Sequence, residues 1–237
     1  NLLTGSQRRK TIGRLLLDTA RPIYNRAIKG QYPPGSTFKP LGALIALDEG
    51  LITPNFGYNC FGSYGACGDP RKCEHHNAGH AANLQLALAY SCNSYFLQVF
   101  RMAIDNPKYA SAKGGYVKWK EYMNAFGFGR KLGVDLPSEN KANIPDTAQY
   151  NKDFGNPRYW NSCYMLTLGI GQDRMTATPL QLANSMAFIA NDGYYYTPHF
   201  VQSIDGQMES DTVLNRYKQK HQVMYPNHWK HWFGVYI

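Results

Sequence analysis

An α/β domain of the α+β kind is predicted for this chain from three observations. Capped, apolar helix-type stretches recur along most of its length, and short tyrosine-rich strand-type segments follow the last of them. The 237 residues are 43% hydrophobic and 14% aromatic, enough to close one sizeable core and too much for a disordered chain. No apolar run approaches the roughly 20 residues of a spanning helix. Residues 1–237 are therefore expected to form one domain, without internal repeats or low-complexity tracts.

The first strong element is a buried helix over 36–49. Pro33, Pro34 and Gly35 form a turn before it, the apolar run Leu41 to Leu47 fills it, and Gly50 stops it. A second helix is expected over 83–102 with a break near Ser91, and a short third over 117–125. Residues 131–161, rich in Pro, Asn and Asp, read as mostly irregular. The best-signalled helix covers 178–191: Thr178 is its N-cap, Pro179 its first residue, Gln181 completes a capping box and Gly193 stops it. Residues 194–197 and 199–204 then read as strands.

Chemistry enters at the head of the first helix. Ser36-Thr37-Phe38-Lys39 puts a serine and a lysine three residues apart, on one helix face, where backbone N–H groups and the helix dipole favour a developing negative charge. A serine hydroxyl is a poor nucleophile until a base takes its proton, and burial is what lowers a lysine's pKa enough for that task. Ser-x-x-Lys occurs twice, so the pattern alone decides nothing. Ser138 and Lys141 lie in a polar stretch with no apolar helix behind them, and read as a solvated loop. Ser36 and Lys39 head a buried helix.

Ser91-Cys92-Asn93 follows a second apolar stretch, Leu84 to Tyr90. Ser-x-x-Lys followed by Ser-x-Asn resembles the penicillin-recognising serine enzymes. The likeness continues through Asn1-Leu2-Leu3-Thr4-Gly5, Asn25-Arg26-Ala27, Tyr32 to Pro40, Phe126-Gly127-Phe128-Gly129 and Gly133-Val134-Asp135-Leu136-Pro137. Gly169-Ile170-Gly171-Gln172 and Thr176 to Ala183 complete it. Together, over about residues 1–205, these blocks resemble the transpeptidase domain of elongation-type class B penicillin-binding proteins.

That resemblance implies a penicillin-binding transpeptidase or serine β-lactamase-like fold, an antiparallel sheet flanked by helices. It implies D,D-transpeptidation of peptidoglycan stem peptides, with Ser36 as nucleophile, Lys39 as base, Ser91 as proton relay and Asn93 holding the substrate amide; β-lactams would be trapped at the acyl stage. It also implies a protein anchored in the cell inner membrane, its catalytic domain in the periplasm, working with a SEDS-type glycosyltransferase and the elongation machinery. The family's third motif, Lys-Thr-Gly or Lys-Ser-Gly, does not occur here, nor does an initiating Met. The expectation is a fragment lacking the amino-terminal anchor and pedestal and the Lys-Thr-Gly segment. A serine β-lactamase and a non-catalytic penicillin-binding sensor or scaffold stay open as alternatives; for the lactamase, no water-activating carboxylate is identifiable.

Five cysteines leave at least one outside any intramolecular disulfide. Cys60, Cys67 and Cys73 lie in a glycine-rich loop, and His76 and His80 follow at ligand spacing, which suits structural zinc. By resemblance the fourth ligand is Cys92, because relatives hold a metal beside the Ser-x-Asn turn. Zinc held by Cys60, Cys73, Cys92 and either His76 or His80, a Cys60–Cys67 or Cys67–Cys73 disulfide, and free thiols remain alternatives; catalysis itself needs no cofactor. Cys163 reads as a buried core thiol. The net charge of +9 suits an anionic partner, but the basic residues are scattered and no basic-aromatic motif points to nucleic acid.

Overall fold

The computed structural model describes residues 7–74, 79–155, 161–202 and 215–223. Helices α1 (Arg8–Leu17) and α2 (Arg26–Lys29) lead in, α2 capped by the Asn25 side chain; α1 buries no residue. A 3-10 turn (Gly35–Phe38) then feeds α3 (Lys39–Asp48), with Pro40 in the first turn, where a missing N–H costs nothing. The loop that follows carries a hairpin of β1 (Ser63–Tyr64) and β2 (Arg71–Lys72), in register Ser63 to Lys72.

Residues 83–102 do break where expected. Helix α4 (Leu84–Ala89) is capped by Asn83, and α5 (Asn93–Ile104) by the Cys92 sulfur, which accepts from Tyr95 N–H at 3.4 Å. Helix α6 (Ala112–Ala125) starts five residues earlier than predicted. Gly114 and Gly115 read as breakers, but the Ser111 side chain accepts from Gly114 N–H at 3.1 Å and starts the helix ahead of them.

Region 131–161 is more ordered than its composition suggests. It contains α7 (Thr147–Phe154), N-capped by Asp146. Glu139 is buried there, its carboxylate accepting the N–H groups of Leu132, Gly133 and Val134 at 2.6, 2.9 and 3.2 Å. Ser138 and Lys141 on either side are exposed, as a solvated surface requires.

A nine-residue 3-10 segment (Ser162–Ile170) precedes α8 (Pro179–Ala190), whose capping box forms as predicted: Gln181 N–H reaches Thr178 Oγ1 at 3.2 Å and Thr178 N–H reaches Gln181 Oε1 at 2.9 Å. Strands β3 (Tyr194–Tyr196) and β4 (Lys220–Gln222) pair antiparallel. The strand predicted over 199–204 does not form in its described part, residues 199–202. The Phe200 and Val201 N–H groups bond the Asp135 carboxylate at 2.8 to 3.0 Å instead of a neighbouring strand. The described residues thus combine helices with two short two-stranded antiparallel sheets.

Helices α3 and α5 each supply residues to two core clusters. On one side Phe38, Leu44 and Phe100 meet Trp119, Phe126 and Phe188, with Phe100 and Trp119 edge to face at 5.6 Å. On the other, Ala43, Leu47, Tyr95 and Leu97 meet Tyr64 of the hairpin and Leu166. Truncating any of these aromatics would cost about 3–5 kcal/mol. Both functional motifs hang from the ends of these shared helices, so core packing fixes their relative position.

The cysteines pair differently from either disulfide considered above. Cys67 bonds Cys163, 96 residues away, stapling the hairpin loop to the 3-10 segment over residues 162–170. Both are half-buried, so Cys163 is not a core thiol. The long separation hid the pairing; the loop folds back over the segment and brings the two Cα atoms to 5.4 Å.

Candidate active site

Two glycines set the serine turn. Gly35 has φ +59°, a left-handed conformation that L side chains disfavour, and its N–H bonds Gly171 O at 2.8 Å. Gly171, at φ +68°, has no room for a side chain: a Cβ there would lie 2.4 Å from Gly35 O. On the entry side, Tyr32 and Ala177 exchange two backbone hydrogen bonds of 2.9 Å. Held at both ends, the turn leaves Ser36 exposed and drives Lys39 inward to 1% exposure.

The opposite wall is built by the end of α4. Cys92 N–H bonds Ala87 O and Ser91 N–H bonds Leu88 O, a Schellman closure whose left-handed position is usually glycine. Here it is Ser91, at φ +50°, a strain of roughly 1–2 kcal/mol. That conformation turns both the carbonyl and the hydroxyl of Ser91 toward Lys39.

Lys39 Nζ donates to Ser91 O at 2.5 Å, Ser91 Oγ at 2.8 Å and Asn93 Oδ1 at 2.7 Å. Three oxygens match the three N–H donors of an ammonium. Burial nonetheless pushes the Lys39 pKa below its ordinary 10.5, partly offset by electrostatic attraction toward the Cys73 and Cys92 sulfurs and the Glu74 carboxylate. Asn93 Nδ2 donates to Lys72 O at 3.1 Å, tying this cluster to β2. The structure thus brings together Lys39, Ser91 and Asn93 by direct hydrogen bonds.

A polar cleft opens above them. Ser36, Ser91 and Asn93 line it with Glu74, Tyr90, Ile170 and Gln172. An exposed serine hydroxyl at a helix head, a buried amine of lowered pKa and a second hydroxyl on that amine are the groups that serine acyl transfer requires.

A second polar cluster backs onto the same turn. Cys60, Cys73, Cys92 and His80 are all buried, and their ligand atoms lie within 4.8 Å of one another. Cys73 Sγ and Cys92 Sγ are 3.8 Å apart, the edge of a tetrahedron with bonds of about 2.3 Å, the zinc–sulfur distance. Burial pushes the Cys92 thiol up to about 12, so without a cation it stays protonated. His80 is the histidine this cluster gathers; His76 lies outside the described residues. The donor set fits a closed structural zinc.

Two contributors carry weaker sequence signals. Glu74 adjoins a proposed ligand cysteine and reads from sequence as loop. Gln181 was legible as a capping residue, but its Nε2 also donates to Gly127 O, Arg130 O and Lys141 O at 2.9 to 3.2 Å, pinning the connection between α6 and α7 to α8. Those long-range acceptors leave no trace near residue 181.

Comparison with known proteins identifies the family and the fold. Residues 3–230 match the family model described as the penicillin binding protein transpeptidase domain. Peptidoglycan D,D-transpeptidase MrdA of Haemophilus influenzae is 35% identical over 217 residues, covering 90% of this chain and 30% of the relative. Pseudomonas aeruginosa PBP2 in complex with WCK 5153 superposes with TM-score 0.73 at 30% identity, over 93% of this chain and 47% of that one. A peptidoglycan synthase complex that coordinates polymerization and crosslinking gives TM-score 0.67 at 27% identity, over 83% and 32% of the two chains. This chain therefore spans less than half the length of each of these three proteins.

Proposed function

This chain belongs to the penicillin-binding-protein transpeptidase family, and from that premise we propose that it is the transpeptidase domain of an elongation-type peptidoglycan D,D-transpeptidase. The observation that carries the reading is Lys39, almost fully buried, pKa lowered, and hydrogen-bonded to the Ser91 hydroxyl and to Asn93.

Once Lys39 is neutral it has two N–H donors and a lone pair, so one of its three acceptors is released and the lone pair can take the Ser36 proton. Ser36 Oγ bonds the carbonyl between the two terminal D-alanines of a stem peptide, with the Ser36 N–H stabilising the oxyanion. The peptide bond breaks, and the proton passes from Lys39 through Ser91 Oγ to the departing D-alanine amine. An amine of a second stem peptide then attacks the ester, forming the cross-link and returning a proton to Ser36. With a β-lactam the same attack opens the ring, the leaving amine stays tethered, and the acyl-enzyme persists.

We place a structural zinc on Cys60, Cys73, Cys92 and His80. When bound it supplies cross-linking of the hairpin loop to the Ser91 turn, and no step of the reaction runs through it. The half-buried Cys67–Cys163 disulfide suits a compartment outside the cytoplasm. Likeness to the synthase complex supports a place beside a SEDS-type glycosyltransferase within the elongation machinery, anchored to the inner membrane and facing the periplasm.

Labelling with a fluorescent penicillin, together with turnover of a stem-peptide analogue by the full-length protein, tests this reading. Stable labelling, slow release and cross-linked product are expected, all lost in Ser36→Ala with little change in Tm. A covalent adduct that survives Ser36→Ala, or rapid hydrolytic release of the penicillin, would overturn it.

A further inference from the structure

A transpeptidase needs an acceptor as well as a donor, and the acceptor's chemistry makes its approach unfavourable here. A primary alkylamine is a cation at neutral pH. The protein carries a net charge of +9. Within the cleft one lining group carries the opposite charge: the carboxylate of Glu74. Tyr90, 46% exposed, lines the same cleft, and a tyrosine ring face attracts cations.

The backbone under Glu74 is well fixed. Cys73 N–H bonds Gly62 O at 2.8 Å, and Lys72 O accepts from the Asn93 amide, so both residues before Glu74 are tied down, one of them to the catalytic turn. These bonds hold the backbone that leads into Glu74 beside the cleft it lines. The field of Glu74 reaches into the cluster, since Lys39 is among the groups it influences.

We infer that Glu74 and the Tyr90 ring form a recognition site for the primary ammonium group of the acyl acceptor, selecting a cationic acceptor for attack on the Ser36 ester. This rests on the transpeptidase reading above and adds which acceptor chemistry the cleft prefers. The carboxylate offsets the repulsion from the protein's net positive charge and orients the amine before it sheds its proton. It takes no part in forming the acyl-enzyme.

The test starts from the acyl-enzyme, so that differences in acylation drop out. Full-length protein is loaded with a D-alanyl thioester donor at pH 7 and offered D-lysine, which is cationic, against hydroxylamine, which is uncharged there. The ratio of amide to hydroxamate product is read. Glu74→Gln should lower that ratio about fivefold, as a partly exposed ion pair is worth, and Glu74→Asp should restore most of it. An unchanged ratio in Glu74→Gln overturns the inference, as does an unchanged ratio accompanied by slower release of free acid, which would assign the carboxylate to water. Failure of the unsubstituted protein to form any acyl-enzyme overturns the transpeptidase reading itself, a different result.

Discussion

Two buried polar clusters share the turn Ser91-Cys92-Asn93, and alternate residues of that turn serve different ones. Ser91 and Asn93 face Lys39, where a cation meets three oxygens at 2.5 to 2.8 Å. Cys92 faces the other way, to Cys60, Cys73 and His80, whose ligand atoms and its own lie within 4.8 Å of one another. On our reading this second cluster holds a dication, which would draw the protons off its thiols; without one, burial keeps the Cys92 thiol protonated. Chemistry on one face is therefore coupled to cohesion on the other through three consecutive residues.

The strongest way to break this comparison is to empty the Lys39 side. Lys39→Met should slow penicillin acylation about a thousandfold, while leaving Ser91 O and Asn93 Oδ1 buried without their donor. A stopped-flow acylation assay within tenfold of the parent would show that another group takes the Ser36 proton. In the parent, acylation should climb with pH along one ionisation below 10.5, because burial lowers the Lys39 pKa. The sign for stability follows: the folded state holds this proton less tightly than the unfolded chain, so Lys39 destabilises below its folded pKa, and that cost fades as pH rises toward 10.5. A flat profile would contradict the assignment.

A smaller effect sharpens the same turn. Ser91 sits at φ +50° where glycine is at ease, so Ser91→Gly and Ser91→Ala both lose the hydroxyl but only the first relieves the backbone. Calorimetry should place the glycine variant about 1 kcal/mol, or about 2–4 °C, above the alanine variant, with both impaired in acylation. Equal melting temperatures would mean that the Ser91 backbone carries no strain.

The legibility of these regions in the sequence followed the range of their interactions. The capping box of α8 depends on neighbours within four residues, and spacing placed it; Ser36 and Lys39 were picked out by their spacing together with the turn before them and the apolar helix that follows. The helix break at Ser91 was visible for the same reason. Residues whose role depends on distant partners were partly or wholly hidden: Cys163 pairs 96 residues away, Gln181 donates to carbonyls 40 to 54 residues back, and Phe200 and Val201 bond Asp135 instead of a strand. The residues proposed to hold zinc fall between these cases. Cys60, Cys73 and His80 share one loop and could be proposed from spacing, whereas Cys92 entered by family resemblance and is drawn in by the packing of α5.

The coupling of the two clusters is tested most directly by measuring zinc content, melting temperature and acylation rate on one preparation of full-length protein, before and after chelation. We predict about one zinc per chain, a melting temperature lowered by about 10 °C on removal, and acylation that falls with the metal and returns when zinc is restored. A purified protein that holds no zinc yet acylates at the full rate would contradict the account.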